Sequence, residues 1–328
     1  MAERRDVVLE GVVSPTLLDG IEQLVEMWSR WCPRHYGRIE VKAARELEAQ
    51  PSSERGDGLF AFSGGVDATF SFQRHLVGAA GRQRHRPSAA MMVLGLDIPA
   101  DDQRSFSGAI ERASRQLDVS EISLIRVATN SRQLATSWED CFGMHLASNF
   151  LLFQKQFSHA FVASGKPYED LQIPWGSLPL TDPLLSTGIM NVHHDGAGHD
   201  RTEKVKWLTD NCGDTVISNL RVCWQGVELD RNCGYCEKCI RTMLNFWAVK
   251  ACHRGCFPHD ITPQLCGRLN PKSRSQLVEL IAIRRHAASR YAPNDAILRS
   301  LDGVIRRARI LRFTSATRAG VARLISGN

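Results

Sequence analysis

The feature that most constrains the fold is a serial alternation between residues 58 and 163. Short apolar runs at 58–62, 89–96, 122–127 and 160–163 are separated by stretches of helical periodicity at 66–77, 103–117 and 143–157. The run at 89–96 (Ala-Ala-Met-Met-Val-Leu-Gly-Leu) is apolar throughout instead of alternating. Such a strand has no solvent face and suits the centre of a parallel sheet. Repeated strand–helix units of this length fold as a doubly wound parallel sheet covered by helices on both faces. The expected class is therefore α/β.

What flanks the alternation is different in character. Residues 1–57 hold a strand-like run at 6–13 and a helical stretch at 21–31, and end in the polar loop 51–58. Residues 165–200 read as loop, with Pro167, Pro174, Pro179 and Pro183 and the histidines His193, His194 and His199. Those histidines are either substrate ligands in a lid or surface residues of it. A helix is expected at 201–208, and from 240 onward the chain is mostly helical. No stretch approaches the ~20 apolar residues that span a bilayer, and the first residues lack an apolar signal core. The expectation is a cytoplasmic protein with no membrane partner.

At the end of the first apolar run stands Phe62-Ser63-Gly64-Gly65-Val66-Asp67-Ala68-Thr69. Two glycines at a strand-to-helix junction let the backbone turn tightly and approach an anion with no Cβ in the way. The first N–H groups of the following helix point into the same space, and its dipole adds positive potential. Ser63 and Thr69 offer hydroxyls, and Asp67 is placed to position Mg2+ on a polyphosphate. A Walker A loop would need Lys followed by Ser or Thr after its second glycine. That pair is missing.

Four of the ten cysteines, Cys223, Cys233, Cys236 and Cys239, lie within 17 residues. Pairs spaced by two residues turn back on one metal, and a fourth thiolate from upstream closes a tetrahedron, the pattern of structural Zn2+. An iron–sulfur cluster or a redox dithiol are the competing uses. Cys32, Cys141 and Cys212 stand alone and read as small hydrophobes.

The segment 63–68 resembles the PP-loop, SGGxDS, of the ATP pyrophosphatases, matching five of six positions with Ala68 in place of the final Ser. The resemblance implies an adenine-nucleotide α-hydrolase (HUP-type) fold that binds ATP through Ser63, Gly64, Gly65, Val66, Asp67 and Thr69. Asp97, after the second strand, then lies where adenine and ribose sit. Such enzymes attack the α-phosphate with a substrate oxygen, release pyrophosphate, and displace AMP with a nitrogen or sulfur nucleophile.

The cysteine string narrows the resemblance. Cys223-x9-Cys233-Gly234-Tyr235-Cys236-Glu237-Lys238-Cys239 is similar to the zinc site of 7-cyano-7-deazaguanine synthase (QueC-type) enzymes, with one extra residue in the first gap. Asp200-Arg-Thr-Glu-Lys204 and Ser164-Gly165 also align. The similarity spans roughly 58–245 and departs at 96–102 and 142–145, where two family segments are replaced. It implies a ligase that adenylates a carboxylate and forms an amide or nitrile, with ATP, Mg2+ and Zn2+ as cofactors. The carboxylate would be deazaguanine-type or related; QueC-like proteins also occur in anti-phage defence operons, which would make a partner protein or a nucleotide the substrate. Lys204 and His145 become catalytic candidates beside Asp67; the alternatives are a surface helix lysine and a core histidine.

The resulting division is an N-terminal extension (1–57), an ATP-binding α/β domain (58–212), a zinc segment (213–245) and a basic helical region (246–328). From Gly267 onward 13 Lys or Arg face 3 Asp or Glu, so that the remainder carries −4 of the chain's net +6. Such a region either contacts nucleic acid or is the solvated face of amphipathic helices, where Arg306, Arg307 and Arg309 alternate with Ile305, Ile310 and Leu311. It also offers a surface for a homodimer. Two other functions stay open: RNA thiolation, with Cys141 or Cys212 as the reactive thiol, and a non-catalytic nucleotide-binding module.

Overall fold

A computed structural model describes residues 1–134 and 137–325, with side chains assigned up to 310 except at 119. Five parallel strands form the central sheet: β3 (Gly56–Ala61), β4 (Pro87–Leu94), β5 (Ser123–Ala128), β6 (Phe157–Ala163) and β7 (Asn191–Asp195), in the order β5-β4-β3-β6-β7. Ahead of them stand β1 (Val7–Val13) and β2 (Val41–Glu46), paired in parallel as a separate ribbon around α1 (Pro15–Trp31). The order reverses at β3: from it the chain runs outward through β4 to β5, then crosses back to β6 on its other side and on to β7. A crevice opens at the carboxyl ends of strands where the order reverses, and ligands of such sheets bind there. The α/β class with a parallel, Rossmann-like sheet is as expected.

Helices cover both faces. On one, α2 (Val66–Leu76) and α3 (Gln103–Leu117) pack Phe72, Phe106 and Ile110 against Phe60, Met92 and Phe161 of the sheet. On the other, α1 and α4 (Trp138–Leu151) pack Leu24, Trp28 and Phe150 against Leu59, Met91 and Val162. Along β3 and β4 both faces are thus buried, which is why these strands carry no polar alternation.

A third core lies beyond the sheet. There α5 (Arg201–Asn211), α6 (Asp214–Ser218), α7 (Glu237–Ala248), α8 (Pro263–Gly267), α9 (Arg274–Ala288) and α10 (Ala296–Ile325) converge. Buried Val205, Leu208, Met243, Leu280 and Leu301 join Val66 and Phe70 of α2, so the helical region is built onto the helix that follows Gly64 and Gly65. In α10, Leu301, Val304, Ile305 and Ala308 are buried while Arg306, Arg307 and Arg309 are exposed, the amphipathic alternative for the basic region. The arginines at 312, 318 and 323 fall outside the described side chains. No helix among the described residues is long and apolar enough to cross a membrane.

Two strands escape a reading of the sequence. β2 (Val-Lys-Ala-Ala-Arg-Glu) is largely exposed, and β7 (Asn-Val-His-His-Asp) closes the sheet as an edge strand. An edge strand pairs through its backbone and needs little apolar surface. His193 and His194 therefore sit on a sheet strand, not in a lid. His194 Nδ1 contacts buried Asp182 at 2.7 Å, and His199 packs on Phe70 at 5.0 Å.

Candidate nucleotide site and thiolate centre

Beyond the end of β3, Gly64 adopts φ +73°, a left-handed conformation that only glycine takes without strain. Gly65 then caps α2 in extended geometry with no side chain over the helix end, leaving the first N–H groups free. Two distant segments fix the turn. The Arg221 N–H donates to Gly64 O at 2.8 Å, and the Gln116 side-chain amide donates to Gly64 O at 3.2 Å and to Asn219 O at 2.8 Å. A Cβ on Gly65 would press on Arg221 O at 3.3 Å.

Two adjoining cavities open at this turn. One is an apolar slot of about 210 Å³ between the tips of β3, β4 and β6, walled by Met91, Val93, Val162, Trp138 and Phe142. The other is polar, about 50 Å³, and bounded by Gly65, Val66, Arg201, Trp224 and Lys238. Ser63, Asp67, Ala68, Asp97 and Arg221 line both. The small Ala68 side chain stands where the two meet.

The electrostatics of the polar end centre on Asp67. Its carboxylate pairs with Arg201 and takes a hydrogen bond from Lys204 Nζ at 3.2 Å. Lys204 is 1% exposed and also donates to Ser164 O at 2.5 Å, so it is a buried lysine and not a surface one; it lines neither cavity and reaches them only through Asp67. Burial alone would raise the Asp67 carboxyl, but Arg201 and Lys204 override it and hold it down at about 2. Burial pushes the Lys204 ammonium below its usual range, with Asp67 opposing. Lys238 is lowered as well, by burial and by Arg201. Asp97 is exposed and makes no ion pair among the described residues.

The depressed Asp67 carboxyl has a consequence for stability. A carboxylate held below its unfolded-state pKa stabilises the fold above that unfolded value, and the contribution disappears as pH falls through the folded value. The window for Asp67 therefore runs from about 3.8 down to about 2. The wild type is expected to lose on the order of 2 kcal/mol more than Asp67→Asn between pH 5 and pH 2. Urea melts of the two proteins across that range would check it; parallel curves would mean that the ion pairs contribute nothing.

Not every residue expected at the site faces it. Thr69 is fully buried and donates its hydroxyl to Gln116 Oε1 at 2.8 Å, so it braces the loop and does not replace the missing serine hydroxyl. His145 is buried in α4, stacked on Trp138 at 5.7 Å, with its Nε2 unpartnered. It backs the apolar slot and lines neither cavity. Burial and the nearby Arg132 lower its pKa, which favours a neutral ring. Ser63, Gly65, Val66, Asp67 and Asp97 do come together there.

Arg201, Arg221, Lys238 and Trp138 were not anticipated. Arg201 lies three residues before Lys204 on one helix face. A capping box between Asp200 and Glu203 fixes where that helix begins. Lys238 sits between two cysteines of the metal string, so the turn that gathers the thiols also aims this lysine. Those placements are the signals that carry them.

The four cysteines converge as their spacing implies. Cys223 and Cys236 Sγ are 3.7 Å apart, and Cys233 and Cys239 Sγ 3.9 Å. A tetrahedral ion with metal–sulfur bonds of ~2.3 Å needs sulfurs about 3.8 Å apart. Backbone N–H groups of Tyr235 and Cys236 donate to Cys233 Sγ at 3.4 and 3.2 Å, and that of Cys239 to Cys236 Sγ at 3.4 Å. Gly234, at φ +79°, makes the knuckle. Buried Asn232 accepts from the N–H of Val222 and Cys223 and donates to Leu220 O and Cys256 O, holding the upstream ligand in place. The group could bind zinc. Comparisons of the chain with protein-family models, with curated proteins and with solved structures each found no match.

Proposed function

We propose that the chain binds ATP across the two cavities and cleaves it between the α- and β-phosphates to adenylate a carboxylate, with zinc held by the four cysteines. The observation that carries this reading is the junction of an apolar slot and a cation-lined polar pocket at one glycine turn, at the switch point of a parallel sheet. Adenine would occupy the slot against Trp138, Met91 and Val162. The triphosphate would lie over the free N–H groups of α2, flanked by Arg201, Arg221 and Lys238. This is the arrangement expected of a HUP-type PP-loop enzyme.

The chemistry follows from those positions. A carboxylate oxygen of the substrate attacks the α-phosphorus, the bond to the bridging oxygen breaks, and pyrophosphate departs. The nitrogen of an amine or of ammonia then attacks the acyl carbon, loses a proton and displaces AMP, giving an amide; the primary amide formed from ammonia can lose water to a nitrile when a second ATP activates its oxygen. The cations would stabilise charge that grows on the phosphate oxygens, in a site already organised before reaction. Mg2+ would supply charge neutralisation on the phosphates. The exposed Asp97 carboxylate is better placed to hold it than Asp67, which Arg201 and Lys204 already occupy.

RNA thiolation fits the thiols poorly. Burial pushes Cys212 up to about 11, and burial with neighbouring Asp140 also raises Cys141, so neither is a thiolate near neutrality. The protein, incubated with labelled ATP, Mg2+, 7-carboxy-7-deazaguanine and an ammonium salt, is expected to release AMP and pyrophosphate in equal amounts and to lose this in Asp67→Ala. AMP formation only after addition of cell extract would keep the adenylation and move the substrate to a macromolecule. Bound ATP with no pyrophosphate under either condition would overturn the enzyme reading and leave a nucleotide-binding module.

A further inference from the structure

At the opposite end of the sheet, where the strands begin, three histidines meet that the nucleotide site does not use. His85 comes from the loop between α2 and β4, His159 from β6 and His193 from β7. Each is half-buried, and one ring nitrogen from each lies within 4.8 Å of the other two. His159 Nδ1 and His193 Nε2 face each other at 2.9 Å. Asp57, in β3, contacts His85 Nδ1 at 3.0 Å and lies 3.8 Å from His159 Nε2.

We propose that His85, His159 and His193, with Asp57 beside them, form a second cation site selective for a divalent transition metal such as zinc. The donor set is three imidazoles with no thiol among them, a choice that suits zinc, nickel or copper over magnesium or calcium. Asp57 engages Nδ1 of His85 and leaves its Nε2 free, the carboxylate–histidine relation that orients metal-bound imidazoles. Zinc bound at ~2.0–2.1 Å holds its nitrogens about 3.4 Å apart, which small ring rotations reach from the present spacing. Two facing imidazole nitrogens at 2.9 Å can share only one proton, and a cation satisfies both lone pairs. The C-terminal end of α2 lies beside the site, because the His85 N–H donates to Nδ1 of His75 in the last turn, and a helix C-terminus favours positive charge.

The site does not depend on the nucleotide reading, and metal counting tests it directly. Full-length wild type and His159→Gln/His193→Gln, dialysed free of loose metal and reloaded with zinc, would be compared by elemental mass spectrometry. The double variant is expected to hold one equivalent fewer than the wild type. After cobalt loading, its thiolate-to-metal charge-transfer band is expected to match the wild type's. Equal zinc content in the two proteins would overturn the proposal. Should the variant fail to fold, a cobalt titration of the wild type decides. Absorption that keeps growing without further thiolate charge transfer supports a second, nitrogen-ligated ion, and growth that stops when the thiolate band saturates refutes it.

Discussion

Lys204→Met should lower pyrophosphate release by roughly 100-fold, the cost of misplacing a positioned group by about 1 Å, because Lys204 lines neither cavity itself but holds Asp67, which lines both. It should also destabilise the fold by about 1–2 kcal/mol, because Ser164 O loses its buried donor while Asp67 keeps Arg201 as its partner. The side chain is 1% exposed and its Nζ is shared between Asp67 and Ser164 O, so methionine fills the volume and removes only the charge and its hydrogen bonds. Steady-state pyrophosphate release at saturating ATP and a urea melt measure the two effects separately. A variant with wild-type turnover and a wild-type midpoint would return Lys204 to an ordinary helix residue. Lost stability with full turnover would make it structural alone.

The second large effect concerns the thiolate centre. Stripping the metal with a strong chelator, or replacing Cys236 by Ser, is expected to drop the thermal midpoint by roughly 10 °C or more. Structural zinc contributes about 10–16 kcal/mol of apparent binding free energy in small peptides, and with ~2.1 cal/mol/K of unfolding entropy per residue each kcal/mol lost moves a chain of 328 residues by ~1.5 °C. Cys223 and Cys239 are part of the helical core that also contains Val66 and Phe70, so the loss cannot stay local. It should reach the nucleotide as well. Arg221 lies two residues before Cys223 and its N–H holds Gly64 O, so ATP binding should weaken about tenfold on chelation. Titration of ATP against holo and stripped protein by calorimetry would read this. Unchanged affinity would show that the loop keeps its shape without the metal.

The parts of the site visible in the sequence share a physical reason. Gly64 and Gly65 announce a turn because few other residues tolerate that backbone, and the cysteine spacing announces a metal because two-residue gaps suit one ion. The apolar runs at 58–62 and 89–96 reveal β3 and β4 because burial on both faces leaves nothing polar. Where function rests on residues with several ordinary uses, the sequence is mute. Arg201 and Arg221 look like any helix or loop arginine until the chain brings them to Asp67 and Ser63. Gln116 looks like a solvated helix residue and proves to be fully buried. β7 is hidden for the opposite reason, since an edge strand of Asn, His and Asp has no apolar signature. Thr69 misleads because adjacency in sequence is not shared direction on a helix: its hydroxyl turns inward to Gln116 while Asp67 faces the pocket.

The contacts that fix Gly64 also set when the loop can take its shape during synthesis. Its carbonyl oxygen is held by Gln116 and by the N–H of Arg221, and Gln116 is itself tied to Asn219 O. A nascent chain that has emerged only through β6 therefore carries the glycine turn without two of the partners that freeze it. Closing so long a loop costs entropy before any of these hydrogen bonds forms. The strands and their covering helices can assemble first, from contacts closer in sequence. The cavities at this turn are then among the last features to become rigid, and a truncated or stalled chain would present a folded sheet with an unset glycine turn.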